Sequence, residues 1–95
     1  MTLRIAICAP ATPITADDAA HVVALAAGYP ALALSFHDQC FLTDGHFAGD
    51  DAQRLAALLD CANDPATDAV WFARGGYGAC RIAERALARL GPAAK

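Results

Sequence analysis

Three glycines in four residues, Gly75, Gly76 and Gly78, follow the apolar run Ala69-Val70-Trp71-Phe72-Ala73 and its terminal Arg74. A helix-period pattern begins directly after them. The stretch therefore reads as strand, tight turn and helix N-terminus, the junction at which α/β proteins place ligands. Without Cβ atoms the glycines can take positive φ and let a ligand reach the main chain. The free N–H groups of a first helical turn favour a negative or developing negative oxygen. The chemistry open to such a turn is an anion cradle or an oxyanion hole; close packing of helix on sheet is the reading without chemistry.

The neighbouring residues exclude several standard sites. A phosphate-binding P-loop needs Lys-Ser/Thr after its glycines, where Ala79-Cys80-Arg81 stand. A dinucleotide fingerprint needs another glycine where Arg81 lies, and the first turn after a strand, Ala9-Pro10-Ala11-Thr12-Pro13, has no glycine. Cys80 falls in the first turn of the last helix, where the dipole and Arg81 would stabilise a thiolate, but a strand-to-helix elbow would put the nucleophile near Gly76. His37, Cys40 and His46 share an irregular loop without the array that Zn²⁺ requires, so a polar, solvated loop is expected and no metal. Ser35 lies in a strand without a glycine elbow, and no Ser-His-acid set can be assembled.

These groups must be positioned by three βα units. Leu3-Arg4-Ile5-Ala6-Ile7-Cys8 reads as a central strand, and Thr15 with Asp18 caps a helix over Ala16–Ala27 that buries Ala19, Val22, Val23 and Ala26. Ala31–Phe36 is the second strand. His37–Ala48 is a long loop, and Gly49 or Asp50 caps a helix over about 51–62 with Leu55, Leu58, Leu59 and Ala62 inward. After the third strand, Ala79, Ile82, Ala83, Ala86, Leu87 and Leu90 form the cleanest helical stripe, stopped by Gly91-Pro92. The expected fold is a three-layer, flavodoxin-like α/β domain, β-α-β-α-β-α, with strand order 2-1-3. That order sets the Ala9–Pro13 and Arg74–Gly78 loops face to face at a topological switch point. Three strands leave two open edges, which points to the leading portion of a larger domain.

The chain has 95 residues, enough for one small domain. It is 57% hydrophobic, but much of that is alanine, which favours helices and buries little area. No apolar run approaches the roughly 18 residues of a membrane span and no basic leader precedes the first strand, so a cytoplasmic protein without a membrane partner is expected. The widely spaced Cys8, Cys40, Cys61 and Cys80 suggest reduced core fillers rather than a disulfide framework. Nine aspartates face two arginines before Trp71, whereas five basic residues face one glutamate from there on. Arg81, Arg85 and Arg89 make one helical stripe, which reads as a solvated face, and no nucleic-acid partner is expected.

Four stretches carry a resemblance. They are Ile5-Ala6-Ile7-Cys8-Ala9-Pro10, Gly45-His46-Phe47-Ala48-Gly49-Asp50-Asp51 with Arg54, Asn63-Asp64-Pro65, and Ala69 to Gly78. In order and spacing the chain from Leu3 to Leu90 resembles the N-terminal part of LD-carboxypeptidases, the serine peptidases of family S66. The resemblance implies hydrolysis of an L,D peptide bond, with release of D-alanine from murein tetrapeptides, and no cofactor. It also implies a Ser-His-Glu triad whose nucleophile follows on a Gly-x-Ser-Asp turn. No such turn stands in residues 1–95, which are therefore expected to be a single N-terminal domain, inactive by itself, whose partners are a muropeptide or similar peptide and the C-terminal part of the same protein. A homodimer is compatible with this. By position Gly75 and Gly76 inherit an oxyanion-hole role, and Pro10, Thr12, Arg74 and Tyr77 a place on the substrate-cleft wall. After Pro10, Ala11-Thr12 replace a common serine. The alternative is a non-catalytic flavodoxin-like module that binds phosphate or carboxylate at the same turn.

Overall fold

The run Leu3–Cys8 forms the first strand, β1, and it occupies the centre of the sheet. In the computed structural model, which describes residues 2–95, it is followed by α1 (Ala16–Ala26), β2 (Leu32–Phe36), a 3-10 turn (Asp38–Phe41), α2 (Asp51–Asn63), β3 (Ala69–Phe72) and α3 (Tyr77–Arg89). All pairing is parallel, in the order β2-β1-β3, with Leu3 opposite Leu32 and Ile5 opposite Ala69. The expected α/β architecture and strand order are those observed.

Alternation along β1 divides the core. Ile5 and Ile7 pack with Ala9, Cys40 and Ala48 on one face, and Cys8 packs with Ala57 and Cys61 of α2 on the other. A second helix-side cluster joins Leu55 of α2 to Ile82 and Ala86 of α3. Both leading helices start in reciprocal capping boxes. Thr15 accepts from the Asp18 amide and Asp18 from that of Thr15, at 3.1 and 3.0 Å; Asp50 and Gln53 do the same.

Two apolar stripes are less buried than their spacing predicts. On α1 only Ala19 is buried, and Val23 is 52% exposed, because this helix packs chiefly on the edge strand β2. On α3, Ile82 and Ala86 are buried but Leu87 is 73% exposed. Three strands are too narrow to cover three helices, and Trp71 and Phe72 on the open edge of β3 are also half exposed. No helix among the described residues is long and apolar enough to cross a membrane.

The loop after β2 is more ordered than its composition suggests. Gln39, almost fully buried, accepts from the Ala9 amide at 3.0 Å and donates to the carbonyls of Ala9 and Ala48 at 2.6 and 2.7 Å. Cys40, fully buried, donates its thiol to the Ile7 carbonyl at 3.3 Å. The loop is thus pinned to the end of β1 rather than solvated throughout. Gln39→Ala strips three backbone groups of their partner, and is expected to destabilise the domain by about 2–4 kcal/mol, read as a lower urea midpoint at unchanged m-value.

Candidate functional site

Strand order brings the C-terminal ends of β1 and β3 side by side, and the Ala73 amide donates to the Cys8 carbonyl at 2.8 Å. The loop after β1 and the glycine turn then meet, as the order 2-1-3 requires. A Cβ on Gly78 would lie 2.9 Å from both Ala11 Cα and the Phe47 ring, and one on Gly76 would lie 3.2 Å from Ala11 Cβ. Gly76 caps α3 at φ 150°, ψ 179°, a conformation that side chains with a Cβ rarely adopt. Gly75 faces open space. Among the described residues no protein acceptor takes the N–H groups of Gly75, Gly76, Tyr77 or Gly78. They remain available to a ligand oxygen at the positive end of the helix.

One side chain fixes this arrangement from below. Arg54, on the first turn of α2, is fully buried, and its Nη1 donates to the Pro10 carbonyl at 3.0 Å and the Gly78 carbonyl at 2.6 Å, while Nε donates to the Gly49 carbonyl at 3.2 Å. Its remaining nitrogen pairs with Asp51. The Phe47 ring lies 4.6 Å beneath the guanidinium and is the same ring that Gly78 approaches. Asp51 also receives Arg81 at 3.0 Å, with Arg85 at 3.6 Å. Arg81 foremost, by hydrogen bond and charge, holds the Asp51 carboxyl below the usual carboxylate range.

The residues expected on the cleft wall are placed differently from one another. Tyr77 is exposed beside the turn, and Arg74 lines a cleft of about 350 Å³ with Ile14, Asp18, Val22, Phe36 and Trp71. Hydrogen bonds from Thr15 lower the Asp18 pKa, and Arg74 and His21 add to that. Pro10 is fully buried with its carbonyl turned to Arg54. Thr12 Oγ1 is buried without a partner. His37 Nε2 meets Asp60 at 3.1 Å while Nδ1 accepts from the Gln39 amide, and no group of His, Cys, Asp and Glu able to hold a metal forms among the described residues. Cys80 is exposed in the first turn of α3.

Sequence reasoning did not single out Gln39 or Phe47, and it quoted Arg54 without a structural task. An arginine three residues after Asp51 and next to Leu55, on the inward stripe of α2, is the signal that could have marked it.

Two outcomes test the geometry. Gly78→Ala is expected to cost about 1–3 kcal/mol because it drives a methyl into backbone and ring, whereas Gly75→Ala should stay within about 0.5 kcal/mol; paired urea titrations read the difference. The Asp51 carboxylate is held more tightly in the folded than in the unfolded chain. Its stabilisation is therefore complete above the ordinary value of 3.8 and is lost as pH falls through the lower folded value. Asp51→Asn should accordingly lower stability at neutral pH and flatten this part of the acid limb in stability measured against pH.

The comparison with known proteins agrees with the fold. Residues 5–91 match the family model described as "LD-carboxypeptidase N-terminal domain". A Streptomyces coelicolor protein named "Putative carboxypeptidase SCO6489" is 38% identical over 87 residues, an alignment that takes in 85% of this chain and 27% of that relative. The chain spans about a quarter of the length of the curated relative it matches. Its parallel sheet and the match across nearly its whole length show that the chain belongs to the LD-carboxypeptidase (peptidase S66) family, whose N-terminal domain it represents.

Proposed function

We propose that residues 1–95 are the N-terminal, substrate-lining and oxyanion-stabilising part of a serine-type LD-carboxypeptidase that cleaves L,D bonds in murein tetrapeptides and releases D-alanine. The observation that carries this reading is the glycine-only conformation of Gly76 at the start of α3, with unpaired amides on either side of it. Attack on a peptide carbonyl turns its oxygen into an oxyanion. Donors already aimed at that oxygen lower the barrier without reorganising during the step. Gly75 and Gly76 supply such donors in this reading; Arg74, Tyr77 and the Pro10–Thr12 loop flank the peptide. Nucleophile, base and orienting acid come from the remaining polypeptide of the same protein. The open edge of β3 and the exposed Leu87 face of α3 support its docking there.

The test uses the full-length protein that contains this chain, with a murein tetrapeptide and a coupled assay for free D-alanine. The full protein is expected to release D-alanine and the 95-residue chain alone to release none. Gly76→Pro removes one N–H and imposes φ near −65°, and should lower kcat by roughly 10²–10³ with a much smaller change in KM. Affinity for a boronate analogue of the tetrahedral state should fall in parallel. Full turnover in both this variant and Gly75→Pro would remove the turn from the oxyanion hole. Phosphate binding without hydrolysis would instead favour an anion-binding module.

A further inference from the structure

Three of the four free thiols are buried, and two of them share one small cluster. Cys8, the last residue of β1, and Cys61, on the last turns of α2, pack together with Ala57 on the helix side of the sheet. The neighbouring Cys61 side chain and burial push the Cys8 pKa far up, while the Cys8 side chain, with help from His37, lowers that of Cys61. Cys61 also opens onto a groove of about 360 Å³ that His37, Asp60, Ser35 and Ala6 line. Cys8 does not line it. The third buried thiol is otherwise engaged: Cys40 donates to the Ile7 carbonyl at 3.3 Å, and burial raises its pKa to about 11.

We infer that Cys8 and Cys61 form a redox-responsive pair, in which peroxide entering by the groove reacts at Cys61 and Cys8 closes a disulfide that ties β1 to α2. In the first step the Cys61 thiolate attacks one peroxide oxygen. An S–O bond forms as the O–O bond breaks, and the leaving hydroxide takes a proton to become water, which leaves Cys61 as the sulfenic acid. In the second step the Cys8 sulfur displaces that hydroxyl. The S–S bond forms, the S–O bond breaks, and the Cys8 proton leaves with the hydroxide as a second water. Two thiols and one peroxide thus give one disulfide and two waters. The groove-facing Cys61 is oxidised first, and Cys8 gives up its proton to the departing hydroxyl as its sulfur bonds to Cys61. Cross-linking residues 8 and 61 closes a long loop and restricts the unfolded chain, so oxidation stabilises the domain.

The experiment treats the reduced 95-residue chain, carrying Cys80→Ser to remove the exposed thiol, with one equivalent of hydrogen peroxide. Cleavage before aspartate separates Cys8, Cys40 and Cys61 into different peptides, so mass spectrometry identifies the linkage in otherwise native sequence. The expected result is a Cys8–Cys61 linked peptide lighter by two hydrogens, a Tm raised by several degrees, and reversal of both by dithiothreitol. Cys40→Ala should leave the link intact, and Cys8→Ala should stop the reaction at oxidised Cys61. A link through Cys40, loss of Cys61 to sulfinic acid without a link, or unreacted thiols in the native chain would each overturn the assignment.

Discussion

A single buried guanidinium underlies the architecture of the site. Arg54 donates to three main-chain carbonyls, those of Pro10, Gly49 and Gly78. The three segments follow β1, precede α2 and open α3, so they meet only when the sheet is assembled. A fork of fixed planar geometry satisfies this demand where a flexible ammonium would not. Burial of the charge is tolerable because Asp51 and three carbonyls compensate it and Phe47 packs against its face. Removing the guanidinium would therefore leave several buried acceptors unpaired at once, which makes Arg54 a positioning residue for the glycine turn.

The rest of the molecule is economical around this hub. Gly78 has no Cβ because the Ala11 backbone and the Phe47 ring occupy the space it would need. Gln39 performs on the other side of the β1 loop what Arg54 performs below it, bridging Ala9 to Ala48. The loop between β1 and α1 is thereby held from two directions although it contains two prolines and no regular structure. In contrast, the outer face of α3 and the edge of β3 have few partners, and their apolar side chains are exposed. Order is concentrated at the switch point between β1 and β3, where the unpaired amides lie.

Much of the fold was legible because it rests on local signals. Thr15 and Asp50 announce their helices through capping residues three apart; the prolines after β1 end that strand for steric reasons, and the glycines after β3 end theirs through conformational freedom. The order 2-1-3 follows from right-handed crossovers and a central apolar first strand. The less legible features are non-local. Whether Val23 or Leu87 is buried depends on how wide the sheet is, not on the stripe to which each belongs. Gln39 and Cys40 are buried because the 3-10 turn folds back under β1, and nothing in the period of residues 37–48 encodes that contact. Arg54 is the sharpest case. On a helix it reads as a solvated charge until its carbonyl partners, from segments far apart in sequence, are brought together.

The same electrostatics bear on which oxygen the glycine turn suits. A site for a permanent anion such as phosphate generally exposes a cation to it, since the ion must be drawn from water. Here the buried charge of Arg54 is committed to Asp51 and the main chain, and Arg81 is paired with the same carboxylate. Arg74, which lines the adjoining cleft, lies close enough to Asp18 to help depress its pKa. At the turn lie amides at a helix start, held in place by a glycine conformation and by the bond that Arg54 donates to the Gly78 carbonyl, with Arg74 exposed beside them. Amides of that kind can receive a bound anion, and under the proposed function they receive an oxygen that acquires charge only during reaction. Under that proposal the rigidity supplied by Arg54 serves the reaction, because preorganisation lowers a barrier most when the charge is transient and the donors do not move to meet it.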